Sequence, residues 1–425
     1  MTSQAILAET NRPADAGGQR IIPRWQRAAL VALALGGLAG FVGLFVDRTE
    51  FWRAYLFAWL FCVEIGLGGL GLVLLHRVTG GRWSASVRPI AESAALTLPW
   101  LGLLFLPLLL GLSTLYPWAD SGQVAASELL QQKSVWLNVP FFVARTLLYF
   151  AVWIGLAFGL RRLSTQDADG EGAGRGLGAV GMILYVVTTT FAAFDWMMSL
   201  EPAWFSSIYG LQFLAGAAVA GISLAVIGLA AGSPPSLPLS GGGAVSPSND
   251  PHFESGDTLS SNDSHSEGAK TSAPSPEWGG QGWGIQTFND LGNLLLAAVM
   301  IWAYFAFSQF LIIWSANIPE EAVWYVHRSR GGWQWVAMGL VVLHFALPFA
   351  LLLSRSLKRN ARVLAWLAGL LFCARALDVY WLIVPAFHPD GAFFHWLYPL
   401  LLLGMAGGWL ALFVREWQKD TPPGH

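Results

Sequence analysis

Ten runs of about 20 mostly apolar residues recur along the chain, each long enough to cross the hydrocarbon core of a bilayer as a helix. They are Ala28–Val46, Ala54–Leu75, Arg88–Leu112, Asn138–Leu160, Gly176–Leu200, Phe205–Ala230, Asp290–Ser315, Gly331–Leu353, Arg362–Val384 and Phe393–Val414. Inside a bilayer the backbone must satisfy its own hydrogen bonds, so such runs predict an all-α polytopic membrane protein with ten transmembrane helices. Composition agrees. Of 425 residues 55% are hydrophobic and only 12% charged, and mean hydropathy is +0.51; a soluble domain carries about 25% charge. The net charge of −2 gives no argument for nucleic acid as a partner.

Lys and Arg positions set the expected orientation. With the N-terminus in the cytoplasm, the inner segments hold most of the 24 basic residues. The outer segments hold only Arg48, Arg53, Lys133, Arg328 and Arg330, and Arg145 and Arg375 lie within spans. Both termini are therefore expected inside. The first 27 residues carry no apolar signal-like core, so a cytoplasmic tail is expected there (1–27), with a second at 415–425. Residues 231–284 are rich in Ser, Gly, Pro and Asp, cannot bury a core, and read as a disordered cytoplasmic linker. It divides the membrane region into spans 1–6 (28–230) and spans 7–10 (285–414).

Few ionisable groups stand at membrane depth, where each charge costs about 2.5–3.5 kcal/mol on insertion scales and so needs a reason. Glu64 and His344 lie mid-span, with no opposite charge evident nearby in sequence. Arg375 and Asp378 are three residues apart on one helical face. Arg145 and Asp195 fall in the outer thirds of their spans, and Glu92 and Asp290 near inner ends. By depth they form a ladder that water could bridge into a proton path: Asp290 and Glu92 at the inner mouth, Glu64 and His344 in the middle, Asp378 and Asp195 toward the outside. The competing structural reading makes Arg375–Asp378 and Arg145–Asp195 buried ion pairs that fix helix register.

A b-type haem between helices needs two axial ligands, commonly His, and of the eight histidines only His344 is mid-membrane. Cys62 and Cys373 both sit in apolar runs and form no cluster or disulfide set. No metal-spaced motif or phosphate-binding loop is present, so no redox centre is expected on this chain. The 22 Trp allow an aromatic quinone pocket, but interface belts explain many of them, among them Trp25, Trp52, Trp118, Trp324, Trp396 and Trp417.

The join FAAFDWMMSLEPAWFSSIYG (191–210), the run FNDLGNLLLAAVMIWAYFAFSQFLIIWSANIPEE (288–321), WYVHRSRGGWQW (324–335), HFALPFALLLSRSLKR (344–359) and ARALDVYWLIVPAF (374–387) resemble one family. It is the F-type membrane subunit of bacterial alternative complex III, related to the polysulfide-reductase membrane subunit. The resemblance covers most of the chain from the fifth span onward; the first four spans match mainly in hydropathy. It implies two four-helix bundles, spans 2–5 and 6–9, flanked by spans 1 and 10. It also implies a place in the bacterial inner membrane, within a complex that oxidises menaquinol or ubiquinol. Electrons would pass through iron–sulfur and haem c subunits to cytochrome c or a terminal oxidase. The sister C-type membrane subunit is the better candidate for the quinol site, and a proton path or conformational coupling is the role implied for this chain.

Three functions are therefore weighed. The first is a non-haem subunit, not catalytic on its own, that moves protons through Glu64, Asp195, His344 and Asp378, with Asp290 and Glu92 as entry groups and Arg145 and Arg375 as charge partners. It binds no cofactor of its own, a quinone site on this chain being one alternative. The second is a purely structural anchor for outer-side redox subunits, and the third a standalone transporter.

Overall fold

The computed structural model describes residues 18–80, 84–166, 171–232 and 281–420. The expected N-terminal tail before residue 18, most of the expected linker (233–280) and the C-terminal five residues lie outside the described residues.

Ten helices among the described residues are long and apolar enough to span a membrane, as the apolar runs predict. We number them α1 (Trp25–Val46), α2 (Arg48–Thr79), α3 (Ser86–Leu115), α4 (Val139–Leu163), α5 (Gly176–Leu200), α6 (Tyr209–Gly232), α7 (Ile285–Ala316), α8 (Trp333–Leu352), α9 (Ala361–Ala386) and α10 (Leu397–Lys419). Successive helices run in opposite directions, so the two ends of the described chain share one face of the molecule, the terminal face. The connections after α1, α3, α5, α7 and α9 lie on the far face.

The central helix is α2. It is apolar all round and buried along most of its length, as expected of a helix with neighbours on every side. Its small residues let those neighbours approach closely. Gly68 lies against the backbone of α6 at Ala217 and Gly221, Gly69 against α3 at Ala91 and Ala95, and Gly71 against Tyr185 of α5. The helices α2–α5 pack as one four-helix group and α6–α9 as a second, the two meeting along α2 and α6. The antiparallel pair α1 and α10, in backbone contact where Gly36 meets Gly404, flanks α2.

Two spans are broken well inside their length, and proline accounts for both. α3 is interrupted at Leu96–Thr97 and tightens to a 3₁₀ turn at Leu106–Gly111, with Pro99 and Pro107 withholding N–H donors. Carbonyls in this irregular stretch are taken by side chains of α2: the Trp59 indole N–H donates to Leu101 O at 2.9 Å and the Tyr55 hydroxyl to Leu104 O at 2.8 Å. In α8 the segment Val341–Ala346 is a π turn. Pro348 has no N–H to offer the carbonyl of His344 four residues earlier, and the helix widens there, the Leu347 N–H reaching back to Val342 O.

One expectation about the aromatics is corrected. Trp52, Trp118 and Trp324 are interior side chains, 4%, 4% and 2% exposed, and do not belong to an interface belt. Trp52 fills the space beside Gly111, Trp118 packs on Phe142, and Trp324 stacks on Trp204 with ring centroids 4.7 Å apart. Their place near helix ends looked the same in sequence.

Candidate functional site

The charged groups of the membrane interior fall into separate clusters. The deepest joins the two four-helix groups. Arg375 of α9, fully buried, donates through Nε to both carboxylate oxygens of Glu64 on α2, each at 2.9 Å, and its Nη2 lies 2.6 Å from Glu64 Oε1. Its Nη1 donates to Asp378 one turn further along α9. The Trp302 indole of α7 donates to Asp378 Oδ2 at 2.8 Å. The guanidinium lies where a side chain at Gly216 of α6 would stand, so that glycine makes room for the charge. His344 of α8 completes the group. Its ring rests on Trp302 with centroids 3.9 Å apart, and Nδ1 is 3.9 Å from Asp378 Oδ2, too far for a hydrogen bond but close enough for strong electrostatic coupling. Neither imidazole nitrogen has a hydrogen-bond partner among the described residues.

Glu64 and His344, which have no opposite charge nearby in sequence, find one across the helix packing. Glu64 pairs with an arginine 311 residues away in sequence, and His344 faces a carboxylate. A separation of that size is invisible to any local pattern.

Charge balance gives the cluster its chemistry. Two carboxylates and one guanidinium sum to −1 when all are ionised, and an uncompensated charge in a buried site is strongly disfavoured. One proton, on a carboxyl or on His344, makes the group neutral. Arg375 stays charged, so Glu64, Asp378 and His344 are the places where that proton can sit, and groups this close titrate as a unit. The π turn, which commonly marks functional positions, places His344 beside this unit.

Asp195 belongs to a different cluster, near the far face. Arg145 of α4 grips it bidentately, Nε to Oδ2 and Nη2 to Oδ1 both at 2.8 Å. The Tyr149 hydroxyl donates to Oδ2 at 2.7 Å and the Trp136 indole to Oδ1 at 3.2 Å. Arg145 also donates to Trp136 O at 3.0 Å and lies over the rings of Trp136 and Phe141. This group is neutral and every partner is matched. Among the described residues no hydrogen bond or ion pair joins it to the Glu64–Arg375 cluster. On the terminal face, Glu92 accepts from Arg88 at 2.7 Å within α3, and Asp290, half-buried at the start of α7, has no ion-pair partner among the described residues. The expected ladder thus places Glu64, His344, Arg375 and Asp378 together, and Asp195 with Arg145 apart from them.

Two further polar groups are held by partners that the local sequence does not relate. Glu50, near the far end of α2, accepts from Arg53, from Tyr398 at 3.1 Å and lies 3.1 Å from His388 Nε2. Glu201, in the connection from α5 to α6, lies 2.8 Å from Arg328 Nη2 and 3.2 Å from His327 Nδ1, tying the α5–α6 join to the helix Pro319–Arg328. Burial pushes the Glu201 carboxyl up, but Arg328 and the His327 hydrogen bond outweigh it and hold the group below its ordinary value. Its partners lie 126 and 127 positions later, again beyond local pattern.

Among the described residues no three His, Cys, Asp or Glu side chains are grouped to hold a metal ion. Fold and cluster define a class, a ten-helix polytopic membrane protein with a titratable group buried between two four-helix units. Comparison with the models of known families gives no match, and comparison with curated proteins gives none either.

Proposed function

We propose that the chain is a membrane subunit of a quinol-oxidising respiratory complex of the alternative complex III kind. In this reading it carries no electron carrier of its own and couples proton movement to electron transfer in its partners. The observation that carries the coupling role is the Glu64–Arg375–Asp378 group with His344 against it. It is fully buried, contains more acid than base, and bridges two helix groups, so a change in their packing alters where its shared proton sits. The family resemblance supports the setting: the bacterial inner membrane, a C-type sister subunit, and iron–sulfur and haem c subunits on the far face. The excess of Lys and Arg on the terminal face supports a cytoplasmic position for that face.

The neutral, fully matched Arg145–Asp195 group favours a structural role for that part of the chain, where it ties α4 to α5. Asp195 is therefore assigned to structure and the central group to coupling. Purification of the tagged protein from its native membranes tests the setting. Co-elution with haem c and iron–sulfur proteins is the expected result; elution alone, with full proton-coupled quinol oxidation left in the remaining membranes, contradicts it.

A further inference from the structure

The connection from α8 to α9, on the terminal face, gathers four cations within eight residues: Arg355, Lys358, Arg359 and Arg362. No Asp or Glu occurs between Glu321 and Asp378, so the connection carries no acid of its own. Lys358 points inward. It is 6% exposed, its stem fills the space where a side chain at Gly292 of α7 would stand, and Nζ donates to the neutral Asn293 Oδ1 at 2.6 Å. That contact pins the short helix Arg355–Arg359 against α7. Arg355 and Arg359, four positions apart, share a face of it, and both are exposed. Arg362, also exposed, stands in the first turn of α9, which Asn360 caps by accepting from the backbone N–H groups of Arg362 and Val363. Among the described residues none of the four cations forms an ion pair, and Asp290 at the start of α7 forms none either.

Beyond Arg362 the outer face of α9 is bare. Arg362, Trp366, Gly369 and Cys373 follow at spacings of four, three and four, so they lie in one stripe. Trp366 is 82% exposed, Cys373 is exposed, and a side chain at Gly369 would meet nothing within 4 Å. Leu353, which ends the apolar run of α8, is 57% exposed, so apolar surface reaches up to the cations from that side too. Unmatched positive charge above an uncovered apolar stripe fits an occupant that has both parts. A phosphodiester accepts from guanidinium forks, and basic clusters at the ends of membrane helices attract anionic lipids. A zwitterionic head would bring a cation among the arginines, and a water-soluble phosphate would leave the stripe uncovered. We propose that the α8–α9 connection holds an anionic glycerophospholipid, its phosphate among Arg355, Arg359 and Arg362 and one acyl chain along Trp366, Gly369 and Cys373. The inference does not depend on the function proposed above.

The test uses the full chain in phosphatidylcholine nanodiscs doped with phosphatidylglycerol that carries a diazirine in one acyl chain, against phosphatidylcholine labelled in the same way. After photolysis, saturable labelling of the α9 segment from Trp366 to Cys373 by the glycerol lipid, well above the choline lipid, is expected. Arg362→Gln should weaken that preference about five-fold, and the triple variant Arg355→Gln/Arg359→Gln/Arg362→Gln about a hundred-fold, down to the choline level. The three side chains are exposed and unpaired, so the wild-type size-exclusion profile and melting temperature should be kept; if the triple variant fails to fold, the single one decides. Unlabelled phosphatidylglycerol should displace the label, and water-soluble glycerophosphoglycerol should not. Equal labelling by the two lipids, as when an acidic partner protein is the true occupant, overturns the proposal. So does labelling unchanged in the variants, or displacement by glycerophosphoglycerol at matched concentration.

Discussion

Replacing Arg375 by methionine takes away the single positive charge that Glu64 and Asp378 share and leaves two carboxylates facing each other in the protein interior. Breaking a buried pair by removing one partner destabilises by about 3–5 kcal/mol, and here two acids are stranded. That is a large share of a typical folding free energy of about 5–15 kcal/mol. Glu64→Gln removes the excess acid and destabilises much less. It leaves the Arg375–Asp378 pair neutral and a glutamine oxygen to accept from Nε, so its effect is about 1–2 kcal/mol, the worth of a charged hydrogen bond exchanged for a neutral one. The double variant Glu64→Gln/Arg375→Met strands one acid in place of two and is more stable than Arg375→Met alone. Equilibrium unfolding in mixed micelles, followed by tryptophan fluorescence, gives the cycle. A negative coupling of at least about 1 kcal/mol is expected between the two sites. An Arg375→Met variant within about 1 kcal/mol of wild type, or a double variant at the plain sum of the singles, refutes the charge-balance reasoning.

Asp195→Asn leaves Arg145 with its charge buried and unmatched, so a loss of about 3–5 kcal/mol in the same unfolding assay is expected, with no change in proton coupling once the protein is assembled. Glu201 has its carboxyl held below the ordinary value near 4.5 in the folded protein, so its stabilising contribution is complete above that pH and is lost as pH falls through the lower folded value. Melting temperatures measured from pH 6 downward should therefore drop less steeply in Glu201→Gln than in wild type below about pH 4.5; parallel curves refute this. Gly68→Val drives a side chain into the α6 backbone at Ala217 and Gly221, where neither helix can yield without moving, and should destabilise by about 1–3 kcal/mol or more, whereas the same change at Gly155, which meets nothing, should be nearly neutral.

The ten helices were legible because membrane depth demands long apolar runs, and a run of that kind has few alternative folds. Arg375–Asp378 was legible as a pair because three positions make one helical face. Glu64–Arg375 was not, since nothing local relates residues 311 positions apart. Trp302 was hidden for another reason: a mid-span indole looks the same whether it faces lipid or donates to a carboxylate. Pro348, four residues after His344, was an available signal for a disrupted turn at that histidine, and the sequence reading passed over it. Trp52, Trp118 and Trp324 show the limit of interface rules, which place a residue by depth but not by which way its helix turns.

The proton-to-electron ratio of the purified complex in liposomes tests the central claim most directly. Wild type, Glu64→Gln and His344→Gln would be compared at matched rates of quinol oxidation, with Asp195→Asn as the structural control. A lower ratio in the two cluster variants, with an unchanged ratio in the control, is the predicted result. Equal ratios in all four would contradict a coupling role for the buried group and leave it as the joint that holds the two helix units together.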